Sequence, residues 1–210
     1  MKSSATNLLE EEAWAKGFKL VAGIDEAGRG PLAGPVVAAT VVFKRGEIPP
    51  DGIKDSKQLS SASREELFFK ICERAVAVGV GIVSEKVIDR INILRATHRA
   101  MQRAVAGLNI HPDFMLIDGM RVPQITGYQR AIPDGDKISV SIAAASIIAK
   151  VTRDRIMVEQ DSIHPRYGFA KHKGYGTRAH IDALDKYGPC KIHRFSFRPV
   201  RESMKKMQVC

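Results

Sequence analysis

The sequence predicts a single α/β domain, strands first with helices mixed in, followed by a small basic C-terminal extension. Three observations carry the prediction. Short β-branched runs alternate with stretches of helical periodicity. The 210 residues suffice for one substantial core. No internal repeat, low-complexity tract or long linker interrupts the order. The domain is expected over residues 1–188 and the extension over residues 189–210.

The elements follow in order. Residues 7–16 read as a short acidic helix burying Leu8, Leu9 and Trp14. Residues 20–25 and 36–43 read as strands of a hairpin, and residues 46–52 as a proline-containing turn. Ser63 and Glu66 have capping-box spacing, which predicts a helix over 63–75 with Leu67, Phe68, Ile71 and Cys72 on its apolar face. Residues 76–83 are β-branched and punctuated by glycine, hence a strand, and 88–106 a helix with Asn92 as an internal restart. Residues 114–117 form the next strand, ending in Asp118-Gly119, and 122–126 read as another. Pro133-Asp134-Gly135-Asp136 is a turn, after which Ser139 or Ser141 caps a long Ala-, Ile- and Val-rich helix to about residue 160. Thr177 caps a helix that ends at Tyr187 before Gly188-Pro189. Residues 191–206 hold six basic residues and one acid, which predicts a basic flap or short helix outside the core.

Lysine and arginine number 33 against 23 aspartates and glutamates, a formal charge of +10 that favours polyanionic partners. Residues 164–178 contain no acid but carry Arg166, Lys171, Lys173 and Arg178 interleaved with Tyr167, Phe169 and Tyr175. That mixture suits a nucleic-acid backbone and a stacked base or sugar. Cys72, Cys190 and Cys210 are odd in number and far apart, so neither a disulfide framework nor a zinc site is expected. Glu10, Glu11 and Glu12 stand where a signal peptide would be apolar, and no run reaches membrane-spanning length. A soluble cytoplasmic protein with no membrane partner is expected, with monomer as the default.

Asp25 and Glu26 end an apolar run and are followed at once by Gly28-Arg29-Gly30-Pro31. Carboxylates are hard ligands for Mg²⁺ or Mn²⁺, while exposed amides and an arginine suit a phosphate or sugar hydroxyl. A solvent-exposed strand end with a glycine turn is the competing reading of this segment alone. Residues 28–33 also match a dinucleotide fingerprint, but the strand-like 36–43 stands where that motif needs a helix. Adjacent strand residues point to opposite faces, so the strand is expected to twist or end near Glu26 for both acids to reach one site.

Six blocks then occur in one order: residues 23–30, Asp55-Ser56-Lys57, Leu116-Ile117-Asp118-Gly119, Ser141 through Lys150-Val151, His172-Lys173-Gly174-Tyr175-Gly176-Thr177, and His193-Arg194-Phe195-Ser196-Phe197. Together they resemble ribonuclease HII, the bacterial type 2 ribonuclease H. The resemblance implies a ribonuclease H-like fold, a mixed five-stranded sheet flanked by helices with a C-terminal helical extension. It implies hydrolysis of RNA paired with DNA, and cutting on the 5′ side of single ribonucleotides in duplex DNA, leaving a 3′-hydroxyl and a 5′-phosphate. Asp25, Glu26, Asp118 and Asp136 match the family's metal-binding catalytic carboxylates, for Mn²⁺ or Mg²⁺. Two such ions about 4 Å apart would activate the water and neutralise the leaving oxygen. Asp136 is preferred over Asp134, and Asp154 is read as an ion-pair partner of Lys150. Gly28, Arg29 and Gly30 are assigned to the 2′-hydroxyl and a neighbouring phosphate, and Tyr175 to the next deoxyribose. Lys57, Lys173, Arg194 and Arg198 are assigned to phosphates, with solvated surface charge as the alternative. The implied partners are RNA–DNA hybrid, ribonucleotide-containing duplex DNA and a replication clamp.

Overall fold

Seven residues, Val21–Ala27, form the central strand β1 of a five-stranded sheet, and its neighbours leave it in opposite senses. The computed structural model describes residues 5–46, 49–53 and 56–209, the side chains of the last two excepted. Asp55 and part of the expected 46–52 turn lie outside those residues. β2 (Val36–Val42) pairs antiparallel with β1, Asp25 opposite Ala39, so the predicted hairpin forms. β3 (Ala77–Val83) extends that edge antiparallel, while β4 (Phe114–Asp118) and β5 (Tyr128–Ile132) add parallel strands on the other side of β1. The order β3-β2-β1-β4-β5 is the mixed five-stranded sheet flanked by helices that the resemblance implies. Among the described residues no helix is long and apolar enough to cross a membrane.

Both faces of the sheet are covered, which is why β2 is buried throughout its length and apolar at every position but Thr40. Val37, Ala39 and Val41 meet α5 (Val140–Ile163) and α2 (Ser61–Arg74), whereas Val36, Ala38 and Val42 meet the layer of α4 (Ile93–Ala106). The helices lie very close to the strands. A Cβ on Gly23 would stand 2.0 Å from the Ser141 carbonyl carbon, and one on Gly81 would stand 2.0 Å from the Ala100 oxygen. Small residues in the first half of α5, Ala143, Ala144 and Ala145, make the same contact possible from the helix side.

Several boundaries depart from the sequence expectations. Ser60, not Ser63, caps α2: its hydroxyl accepts the Ser63 N–H at 3.1 Å, and Glu66 pairs with Lys70 instead. The helix expected over 88–106 starts earlier, as α3 (Glu85–Ile91), and restarts as α4 at Asn92 as its sequence suggests, where Asn92 takes a φ of 66° and its side chain accepts the Arg95 N–H at 3.1 Å. Residues 122–126 are not a strand. Pro123 lacks an amide hydrogen, Ile125 donates back to Val122 at 3.1 Å, and the strand comes later at β5. Leu8 of α1 (Leu8–Ala15) is exposed while Leu9 and Trp14 are buried. Ser139 is the residue that caps α5, accepting the Ile142 N–H at 3.2 Å. The C-terminal segment is not peripheral throughout: His193, Arg194 and Val200 are fully buried, and residues 198–209 form α8 (Arg198–Val209) after α6 (Phe169–His172) and α7 (Arg178–Tyr187).

Glu10 shows how the N-terminus is tied in. Its buried carboxylate accepts from the hydroxyls of Ser139 and Ser141 and, at 3.0 Å, from the Ser141 amide at the start of α5. An anion at a helix N-terminus is favoured by the unpaired amides there. Glu10→Ala is expected to cost about 2–3 kcal/mol, read as a lowered urea midpoint, because it strands two buried hydroxyls and an amide.

Candidate active site

Asp25, Glu26, Asp118 and Asp136 are brought to one end of the sheet by three elements. β1 and β4 run parallel side by side, so their carboxyl ends open on the same edge, and α5 starts beside them. As expected of a strand that twists or ends near Glu26, β1 stops one residue beyond it, at Ala27. Pairing with β4 stops at Ile24 while pairing with β2 runs on to Ala27, so both acids stand past the last β4 partner. Asp25 lies on the α5 face, in contact with the Ser146 hydroxyl, and Glu26 on the other.

Each acid has its own surroundings. Asp25 is buried, and burial, then Glu26, then Asp118 push its carboxyl well above the usual range. Burial is also the main cause raising Glu26, opposed by Arg29 at 3.3 Å and reinforced by Asp118. Asp118 Oδ1 accepts the Gly135 N–H at 2.7 Å, which fixes the turn carrying Asp136 against β4. Asp136 is buried with Lys57 Nζ 3.4 Å away, whereas Asp134 faces solvent and pairs with Lys137 at 2.7 Å. Asp154 pairs with Lys150 at 2.6 Å on α5, as its spacing suggests, with Arg64 at 4.0 Å. Ser56 and Ser146 share a hydrogen bond of 2.8 Å behind Asp25, and Arg64 holds the Ser56 carbonyl at 2.9 Å.

The donor set suits a divalent cation. Four hard carboxylates converge with Arg29 beside Glu26 and Lys57 beside Asp136; Asp25 is raised partly by Glu26 and Asp118, and Glu26 partly by Asp118. Among the described residues they do not close into a ready group of three ligands, because Glu26 turns to Arg29, Asp118 to Gly135 and Asp136 to Lys57.

The loop after β1 is held from behind by two buried arginines, neither ion-paired to a carboxylate among the described residues. Arg153 donates to the carbonyls of Ala33, Pro35 and Lys173, and Arg194 to those of Gly28, Arg29, Gly34 and Pro35, at 2.6–3.1 Å. Gly28 has a φ of +95°, and any Cβ there would meet Arg153 Nε at 2.1 Å. With the carbonyls drawn inward, the Arg29 side chain stays half exposed and Gly30 faces the Tyr175 ring, whose Cε1 would lie 4.0 Å from a Cβ. Leu32 donates to the Gly174 carbonyl and Gly34 to that of Ile192, each at 2.8 Å, so residues 28–35, 172–176 and 192–194 form one unit.

Two assigned phosphate contacts have other positions. Arg194 is fully buried and committed to carbonyls, so it shapes the loop instead of meeting a phosphate. Lys173 is half-buried, its Nζ turned to the Ala170 carbonyl and its own carbonyl taken by Arg153. Lys57 and Arg198 are exposed. Of the aromatic residues interleaved with the basic ones in 164–178, only Tyr175 is exposed. Tyr167 and Phe169 stack at 5.3 Å in the interior, where Tyr167 donates to the Gly188 carbonyl at 2.7 Å. Sequence reasoning missed Arg153, Ser146, His180 and His193. Their motif blocks hold some of them, but nothing local distinguishes a clamp from a surface charge.

Comparison with known proteins gives one consistent result. The family model described as Ribonuclease HII matches residues 22–200. A ribonuclease HII of Acetivibrio thermocellus is 57% identical over 190 residues, 90% of this chain and 74% of that protein. The ribonuclease H2 of Pyrococcus horikoshii superposes with a TM-score of 0.79 at 29% identity, over 90% of this chain and 99% of that one. The structure of the PCNA:RNase HII complex from Archaeoglobus fulgidus contains a chain with a TM-score of 0.71 at 25% identity, over 85% of this chain and 95% of that one.

Proposed function

The chain belongs to the ribonuclease HII family and is a nuclease of the hydrolase class, and from that premise we propose that it cuts the RNA strand of RNA–DNA hybrids and nicks duplex DNA on the 5′ side of single embedded ribonucleotides. The products in this reading are a 3′-hydroxyl and a 5′-phosphate. The observation that carries it is the meeting of four carboxylates with a glycine-arginine-glycine loop and an exposed tyrosine packed toward Gly30.

Asp25, Glu26, Asp118 and Asp136 are the residues that would hold divalent metal, Mn²⁺ or Mg²⁺. When bound, such ions make an attacking water more acidic and offset charge on the leaving 3′-oxygen. The protein's part is placement. Arg29, released from its 3.3 Å pairing with Glu26, is free to hold a neighbouring phosphate. The main chain of Gly28 and Gly30 admits a 2′-hydroxyl where a side chain would block it. Tyr175, 43% exposed, offers its ring to the following deoxyribose. Lys57, close to Asp136 and otherwise exposed, can reach a phosphate beside the acids.

The duplex has a surface to follow. Arg95, Arg99 and Arg103 are exposed on α4 at helical spacing, about 6 Å apart along the axis, in a stretch from 90 to 112 without an acid. At the C-terminus, residues 189–210 serve as a basic extension through the exposed Arg198, Arg201 and Lys205. A cytoplasmic monomer that contacts a replication clamp completes the reading; the archaeal PCNA complex of a relative supports the clamp contact.

The test is cleavage of a DNA duplex carrying one ribonucleotide, with Mg²⁺, with Mn²⁺ and with chelator, against an all-DNA control. A single metal-dependent cut 5′ of the ribonucleotide is the expected result. Binding without cleavage under either metal would replace the enzyme reading with a docking role.

A further inference from the structure

Behind Tyr175 the described residues form a chain of imidazoles that the catalytic reading does not use. His180 Nδ1 lies 2.9 Å from the Tyr175 carbonyl, and His180 Nε2 lies 3.0 Å from His193 Nε2. His193 Nδ1 lies 2.9 Å from the main-chain nitrogen of Cys190 and 3.2 Å from its sulfur. Both rings are fully buried, and His172 stacks on His180 at 4.5 Å between centroids.

These contacts admit one arrangement of protons for neutral rings. A carbonyl only accepts, so His180 carries its proton on Nδ1 and presents a bare Nε2. The Cys190 amide only donates, so His193 keeps Nδ1 bare and donates from Nε2 to His180. A proton on His193 Nδ1, toward the 3.3 Å Cys190 carbonyl, would force His180 to become a buried cation. Burial accordingly holds His180 down to about 4 and His193 down to about 3, so both are neutral at pH 7.

The segment they hold needs holding. Lys173 and Gly174 have φ of 50° and 82°, so two consecutive residues before Tyr175 are left-handed, one of them not glycine. His172 Nδ1 takes the Gly174 amide at 3.2 Å, and the Tyr175 carbonyl accepts from both Thr177 and His180.

We propose that His180, set in one tautomer by His193, is a positioning residue for Tyr175, and that the chain from Cys190 through His193 and His180 ties the Tyr175 main chain to the C-terminal segment. The inference rests on Tyr175 being a substrate contact. Asparagine places its amide nitrogen near the position of imidazole Nδ1, whereas glutamine places it near Nε2. His180→Asn should therefore keep the hold on Tyr175, with kcat on a single-ribonucleotide duplex within about threefold of the parent, and His180→Gln should lose about tenfold. In a Tyr175→Ala background, His180→Gln should cost nothing further, because its whole effect passes through Tyr175. Equal behaviour of the Asn and Gln variants, or losses that multiply in the double variant, would overturn the positioning role. Nitrogen NMR of the parent protein tests the same point without any substitution: protons on His180 Nδ1 and His193 Nε2 support it, and the reverse assignment refutes it. If Tyr175→Ala leaves the rate unchanged, the substrate-contact reading fails and the relay with it; if Tyr175→Ala loses rate while His180→Gln does not, the relay alone fails.

Discussion

Asp25→Asn and Asp118→Asn are expected to lower cleavage by about 10³-fold or more, while the fold persists and, for Asp25→Asn, the metal-free protein resists urea better than the parent. The loss follows from removing a ligand charge from a site whose chemistry depends on gathering cations. The gain in stability follows from the same crowding. Asp25 is buried beside Glu26 and Asp118, and its carboxyl is held well above the usual range. Below the unfolded pKa, about 3.9, both states keep the proton and the group contributes nothing. Above it the unfolded chain releases the proton while the folded chain retains it, so folded stability falls as pH rises toward the raised value. Asparagine removes that penalty, so the advantage of Asp25→Asn in urea should be larger at pH 7 than at pH 4. Circular dichroism with parallel cleavage assays checks both parts. Retained activity in either variant would refute the metal-site assignment, and an Asp25→Asn protein less stable than the parent at pH 7 would refute the electrostatic account.

Arg194→Met should cost at least about 3 kcal/mol and most of the cleavage activity, although Arg194 is fully buried from the solvent. Its guanidinium supplies donors to four carbonyls, those of Gly28, Arg29, Gly34 and Pro35, and methionine would strip the first three of this donor while Arg153 still holds Pro35. Burial, then the neighbouring Arg153, pull Arg194 down to about 9, so the residue is still charged at pH 7 and its hydrogen bonds are charge-assisted. Lysine is not expected to rescue, because one ammonium cannot span carbonyls arrayed around a planar fork. A urea midpoint and a cleavage rate matching the parent would show that the loop holds its shape without the clamp.

The sequence by itself determined a good deal. The alternation of β-branched runs with helical periodicity placed the strands at residues 20–25, 36–43, 76–83 and 114–117 close to β1 to β4, because those signals are local and the burial of each strand agrees with them. The motif blocks indicated the chemistry, since paired acids before a glycine loop, and an Asp at a strand end, are residue types that few other demands would group. Where local cues competed, the sequence reading erred: Pro123 overruled the β-branched look of 122–126, and Ser60 took the cap that Ser63 and Glu66 suggested.

Tertiary structure alone decided which charges are surface and which are scaffold. Arg194 and Lys173 have the same composition as phosphate contacts, yet packing of residues 28–35 against 172–176 and 192–194 turns them to carbonyls. It also separated Asp136 from Asp134, two residues apart in one turn, by burying one against Asp118's anchor at Gly135 and leaving the other in water. The physical reason is distance in the chain: Asp118 is anchored by Gly135, 17 positions away, and Arg194 by Gly28, 166 positions away. Periodicity and capping act within a few residues and carry no information about which remote carbonyl or amide will be waiting.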